Sequence, residues 1–147
     1  MLIGRTEQLR YRRFRPAVRV ARTAAREVAQ RWGLAGLADD AESVVGELMA
    51  NAVVHGRAAR ESWVAVTYEL ADEALRIEVR DWATGLPRLP LDEVDALGTE
   101  CAEDMAESGR GLLMVSALCA RWGVTPHVIG KSVWCEFASV PQVLPER

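Results

Sequence analysis

The chain has 147 residues, half of them apolar, and a formal charge of −3. That length suits one domain with a sizeable core, and the composition excludes a disordered polyelectrolyte. The slight acidity argues against nucleic-acid binding driven by bulk charge, and no apolar run approaches the ~18 residues of a membrane span.

In chain order, Leu9, Tyr11 and Arg13 alternate with Arg10, Arg12 and Phe14, a weak strand signal over residues 9–15. Pro16 then suits the first turn of a helix. Val18, Ala21, Ala25, Val28 and Trp32 follow at helical spacing, and Gly33 stands where a C-terminal cap would stop that helix. Eight arginines fall within the first 26 positions. Spread around the helix and strand with Glu7 and Glu27 among them, they read as a solvated face in preference to an interaction surface.

The next helix is predicted from Ala38 to His55, with Ala41, Val44, Val45, Leu48 and Ala52 on its buried face. At ~100° per residue, Asp40, Glu47, Asn51 and His55 form a polar stripe along one border of that face. Val64, Val66, Tyr68 and Leu70 then alternate on one strand and Leu75, Ile77 and Val79 on the next, joined by the turn 71–74. This is an antiparallel hairpin with one buried face, and Asp81 closes its second strand.

From Leu86 to Glu107 the periodicity fails, prolines punctuate the chain and acidic residues accumulate. So long a weakly patterned stretch inside a compact domain is uncommon and often functional. A last helix starts at Gly109 and Gly111 and runs to about Arg121. Two strands, near 123–129 and 132–138, turn at Gly130-Lys131. The sum is an α+β two-layer sandwich, a mixed or mostly antiparallel sheet covered on one face by about three helices. Residues 8–138 form the single domain and residues 139–147 a flexible tail.

Cys101, Cys119 and Cys135 are odd in number and include no C-x-x-C pair. Their spacing speaks against a disulfide framework or a zinc site and for reduced thiols in a cytoplasmic protein. The N-terminus carries no apolar stretch long enough for a signal peptide.

Three segments carry the chemistry. Glu47-Leu-Met-Ala-Asn51-Ala-Val-Val-His55 sets a carboxylate and a carboxamide one turn apart on a helix, where residues four apart are neighbours. Asp81-Trp-Ala-Thr-Gly85 places an acid at a strand end before a glycine loop. Ser108-Gly109-Arg110-Gly111-Leu112 puts two glycines at a helix start, where free N–H groups and the helix dipole attract phosphate. Taken singly, each has an ordinary structural reading: a polar helix edge, a turn residue, a capping turn.

In order and spacing these segments resemble the N, G1 and G2 boxes of the GHKL ATPase superfamily, which binds ATP in a Bergerat fold. Within it, they are most similar to the anti-sigma-factor serine/threonine kinases. The ending Lys131-Ser-Val-Trp-Cys-Glu-Phe137 is similar to the last strand of that group, and the likeness spans residues 8–138. One departure is Ala83, which stands where the first glycine of Asp-x-Gly-x-Gly is expected.

The resemblance implies roles residue by residue. Glu47 would be the general base that activates a hydroxyl for attack on the γ-phosphate. Asn51 would bind Mg²⁺, which favours oxygen ligands and keeps several waters. Asp81 would accept from the adenine amino group. Gly85, Gly109, Gly111 and Leu112 would lie along the nucleotide. Arg110 either reaches the phosphates or faces solvent, and His55 either touches phosphate or is a structural histidine. The segment 86–107 corresponds to the family's ATP lid. ATP and Mg²⁺ are the expected cofactors, and a sigma factor and a small antagonist protein the expected partners. A homodimer is expected from the family alone.

Overall fold

The computed structural model describes residues 4–55, 62–72, 74–82 and 113–137. In chain order these form β1 (Arg5–Arg12), α1 (Pro16–Arg31), a single 3-10 turn (Ala35–Leu37), α2 (Ala38–His55), β2 (Trp63–Ala71) and β3 (Ala74–Asp81). The described part of α3 (residues 113–118) follows, then β4 (Arg121–Pro126) and β5 (Lys131–Glu136).

The strands make one sheet in the order β1-β2-β3-β5-β4, and every neighbouring pair is antiparallel. The α+β two-layer architecture is therefore as the periodicity suggests, with the antiparallel alternative realised among the described residues. β1 begins earlier than its alternation implies. Arg5–Gln8 pair with Thr67–Leu70, so the edge strand is set by its partner as well as by its own side chains.

Helix α1 opens with Pro16 at its first turn. Its end is a Schellman-type closure: Leu34 N–H bonds Ala29 O at 2.7 Å, and Gly33 takes φ of 78°. Ala17, Ala21, Ala25 and Ala29 recur every fourth residue and are fully buried. This small-residue face admits α2 at close range. Gly46 of α2 completes the fit, since a Cβ there would meet the Arg22 stem at 3.0 Å. Arg22 and Arg26 then reach Glu42, and Arg26 also reaches Asp39, tying the two helices along their exposed seam. Exposed pairs of this kind orient helices more than they stabilise them.

Ala41, Val44, Val45, Leu48 and Ala52 of α2 are buried as its period demands, and Met49 joins them. Against them lie Val64, Val66, Tyr68 and Leu70 of β2 and Leu75, Ile77 and Val79 of β3. Both helices thus cover one face of the sheet. The other face carries arginines stacked on tryptophans: Arg12 on Trp63, Arg80 on Trp82, and Arg76 and Arg121 on Trp134.

The C-terminal boundaries differ from expectation. α3 stops at residue 118, short of Arg121, because Ala120 N–H bonds Glu136 O and draws the chain into the sheet. β4 is Arg121–Pro126 where 123–129 was expected, and β5 is Lys131–Glu136 where 132–138 was expected. Pro126 has no N–H to extend the ladder. The turn spans His127 to Gly130, closed by His127 N–H to Gly130 O at 3.0 Å. Gly130 adopts φ of 83°, which suits glycine.

Candidate functional site

Asp81 follows Leu75, Ile77 and Val79 in the period-two series of β3, so its side chain faces the helix layer. Only 1% of the residue is exposed. A buried carboxylate needs charged or hydrogen-bonding partners. Two of them are Lys131, whose Nζ donates to Oδ2 at 3.2 Å, and Arg13, whose Nε lies 3.5 Å from Oδ1. Lys131 is the residue directly opposite Asp81 across the β3–β5 ladder. Arg13 follows β1, where its N–H bonds Ser62 O at 3.1 Å.

The Arg13 side chain is 5% exposed, so it is not one of the solvated arginines of the N-terminal region. Its place in the alternation with Leu9 and Tyr11 is the signal for this, because residues in phase with the apolar set face inward. The charge count masked that signal. Lys131 carries another: it is the single lysine among eighteen Lys and Arg residues. Arg13 Nε faces Asp81 as an ion pair, and Arg13 Nη2 and Ser62 Oγ are buried with no hydrogen-bond partner among the described residues.

On α2, Glu47 and Asn51 lie one turn apart within the helix. Both are half-buried, beside the fully buried Leu48, Met49 and Ala52. Asp40 is half-buried as well, so the polar stripe runs along the border of the packed face. Glu47 has a polar or electrostatic partner. No hydrogen bond engages the Asn51 carboxamide among the described residues. Its oxygen thus fits a metal that brings its remaining ligands as water and phosphate. No cluster of three or more His, Cys, Asp or Glu side chains that could hold a metal is present among the described residues.

His55 is the last residue of α2, and its side chain lies outside the described residues. Ala83, Gly85, the lid segment 86–107, Gly109, Arg110, Gly111 and Leu112 also lie outside them. What the fold brings to one side of the sheet is therefore the pair Glu47 and Asn51 on α2 and the Arg13–Asp81–Lys131 group at the end of β3.

The two remaining cysteines among the described residues, far apart in sequence, are neighbours in space. Cys119 and Cys135 are free thiols close enough to shift each other's titration, and the Cys119 thiol donates to Val115 O at 2.7 Å. Contact with Cys135 lowers the Cys119 pKa, whereas contact with Cys119 and burial raise that of Cys135. No helix among the described residues is long and apolar enough to cross a membrane.

An antiparallel sheet with helices on one face, a buried acid at a strand end and an acid–amide pair on the covering helix make an α+β two-layer domain. The chain belongs to the histidine kinase-like ATPase domain family, which matches residues 14–134. No curated protein matches it. The match runs from just past β1 almost to the end of β5, so it takes in Glu47, Asn51, Asp81 and Lys131 but not Arg13. Membership makes this an ATP-binding domain of the GHKL type.

Proposed function

We propose that the chain is a Mg-ATP-dependent regulatory kinase of the anti-sigma-factor type, which sequesters a sigma factor and phosphorylates a small antagonist protein on Ser or Thr. The observation that supports this reading most is the placement of Glu47 and Asn51. They lie one turn apart at the half-buried border of α2, on the same side of the sheet as buried Asp81.

In this reading Asp81 accepts from the 6-amino group of adenine, held by Arg13 and Lys131 in one orientation. Gly85, Gly109, Gly111 and Leu112 lie along the nucleotide, with Arg110 and His55 at its phosphate end. Asn51 offers its amide oxygen to Mg²⁺, which when bound neutralises charge on the phosphates. Glu47 takes the proton of the antagonist's hydroxyl as its oxygen approaches the γ-phosphorus. Positioning and charge neutralisation supply most of the remaining rate. A homodimer and a cytoplasmic setting accompany this reading.

Ala83 favours a second reading, a partner-switching module that binds ATP and captures a regulator without phosphoryl transfer. A methyl in place of the first G1 glycine restricts the backbone beside the base. A radiolabelled transfer assay with the sigma factor, antagonist and Mg-ATP separates the two. Label on the antagonist that disappears with Glu47→Ala supports the kinase. Partner capture with ATP bound and no label supports the module.

A further inference from the structure

Two sulfurs, one just after α3 and one in β5, meet at the edge of the core. Cys135 stands opposite Ile77 on β3, in phase with Val133 and Phe137, and is fully buried. Cys119 closes the last turn of α3, where its N–H bonds Val115 O at 3.0 Å, and the next residue, Ala120, donates to Glu136 O at 2.9 Å. The Ala120 bond docks the end of α3 beside Cys135, and Trp122 is the cross-strand partner of Cys135. Cys119 packs against the apolar cluster to which Cys135 belongs, yet it is only half-buried. Both are free thiols, and each shifts the other's titration, down at Cys119 and up at Cys135. Cys135 by itself is an ordinary small core side chain. Packing does not require a second sulfur against it, still less one with an open side and greater thiolate character. An accessible, reactive thiol backed by a second thiol is the arrangement in which oxidation of the first is resolved by the other.

We propose that Cys119 and Cys135 form a reversible oxidation site, at which a hydroperoxide converts the two thiols to an intramolecular disulfide. Cys119 attacks first, because it alone of the two is open to solvent. Its thiolate sulfur forms an S–O bond with the peroxide as the O–O bond breaks. The sulfur gives up two electrons and becomes a sulfenic acid, and the departing hydroxide takes the proton that Cys119 released. Cys135 then attacks the Cys119 sulfur: the S–S bond forms, the S–O bond breaks, and the hydroxyl leaves as water with the Cys135 proton. Two thiols and one hydrogen peroxide thus yield one disulfide and two waters, and an external dithiol reverses the change. Burial keeps the Cys135 thiol protonated and away from peroxide, so the second step waits for the first. The product ties the end of α3 to β5. The site shares no residue with Glu47, Asn51 or Asp81 and does not rest on the proposed function.

The test treats the folded full chain with equimolar hydrogen peroxide and maps its cysteine peptides by mass under non-reducing conditions. A parallel sample contains dimedone, which traps sulfenic acid. Wild type is expected to give a peptide pair joined through Cys119 and Cys135 that separates on adding dithiothreitol. Dimedone should label Cys119, and Cys135→Ala should raise that label severalfold, since the resolving thiol is gone. Cys119→Ala should lose the link and leave Cys135 a thiol. The chain unfolded in urea is the control. There Cys101–Cys119 and Cys119–Cys135 links should form without marked preference, because the loops they close are of similar length. If the native chain joins Cys101 to either partner instead, or if dimedone labels Cys135 first, the proposal is overturned. Conversion of Cys119 to the sulfinic acid with no disulfide also overturns it. So does the same pattern of links in the native and unfolded chains, since the pairing would then owe nothing to the fold. Mapping of wild type decides all these points if either variant fails to fold.

Discussion

The Cα of Gly130 packs against the backbone of Asp81. A Cβ on Gly130 would overlap the Asp81 carbonyl oxygen and stand 2.7 Å from Trp82 Cα. The β4–β5 turn is thereby pressed onto the end of β3, and Arg80 Nη2 adds a bond to Ile129 O at 2.9 Å from the same strand. The turn is a brace for the residue on which base recognition is proposed to depend.

Gly130→Ala is therefore expected to cost at least ~2 kcal/mol, from a positive φ together with a backbone overlap. It should also weaken ATP binding, because the turn can only relieve the overlap by lifting Asp81 or itself. Gly33 supplies the comparison. Its φ of 78° is similarly strained for other residues, yet nothing lies within 4 Å of its would-be Cβ. Gly33→Ala should cost ~1 kcal/mol and leave nucleotide affinity unchanged. Chemical denaturation and calorimetry on both variants read the two effects separately. Equal losses of affinity would refute the bracing role.

Glu136 gives the stability a pH dependence. Bonds from the Arg121 and Arg76 side chains, at 3.0 Å and 3.2 Å, hold its carboxyl below the usual range, with Arg121 the larger influence. A carboxyl lowered on folding contributes stability above its unfolded pKa of ~4.3 and loses it as pH falls through the folded value. The group is near the surface, so the contribution is at most ~1 kcal/mol after screening. Urea midpoints of wild type and Glu136→Gln should differ at pH 7 and converge at pH 3. A difference that persists unchanged at pH 3 would mean the interaction is not ionic.

The thiol pair makes a prediction about reactivity. Cys119 is half-buried with its pKa lowered by its contact with Cys135, whereas Cys135 is fully buried with its pKa raised. Since the thiolate is the nucleophile, Cys119 should be alkylated before Cys135 in the native protein at neutral pH. Cys135→Ala removes that contact and should slow alkylation of Cys119. Peptide mass mapping after brief iodoacetamide treatment distinguishes the sites, and faster labelling of Cys135 would contradict the arrangement.

Much of this fold is legible in local periodicity. α2 begins and ends where its buried face and polar stripe predict, and the β2–β3 hairpin keeps all seven of its expected inward residues buried. Where the sequence misleads, the deciding contact is distant. β1 extends back to Arg5 because β2 offers partners there, and α3 ends early because Glu136 captures Ala120. Arg13 is the instructive case. In a run crowded with arginines its charge suggests solvent, but its phase with Leu9 and Tyr11 buries it beside Asp81. A buried ion pair between residues 68 positions apart leaves no mark on composition. Only the register β1-β2-β3 brings its members together.

Glu47 and Asp81 should separate chemistry from binding. A general base acts in the transition state, so its removal lowers turnover far more than ground-state affinity. Glu47→Ala is expected to bind ATP within about tenfold of wild type, ~1.4 kcal/mol, while antagonist phosphorylation falls by about a hundredfold or more. Asp81→Asn should do the reverse. It swaps an acceptor-only group for one that also donates, and it leaves Arg13 and Lys131 as buried cations without their counter-charge, so affinity should collapse before any chemistry is reached. Asp81→Asn also needs a thermal melt, since the same loss of counter-charge destabilises the fold by an amount that ATP binding could partly restore only if the site survives. If Glu47→Ala captures its partner as well as wild type does, and wild type transfers no phosphate, phosphoryl transfer is not this protein's work and the partner-switching module takes its place.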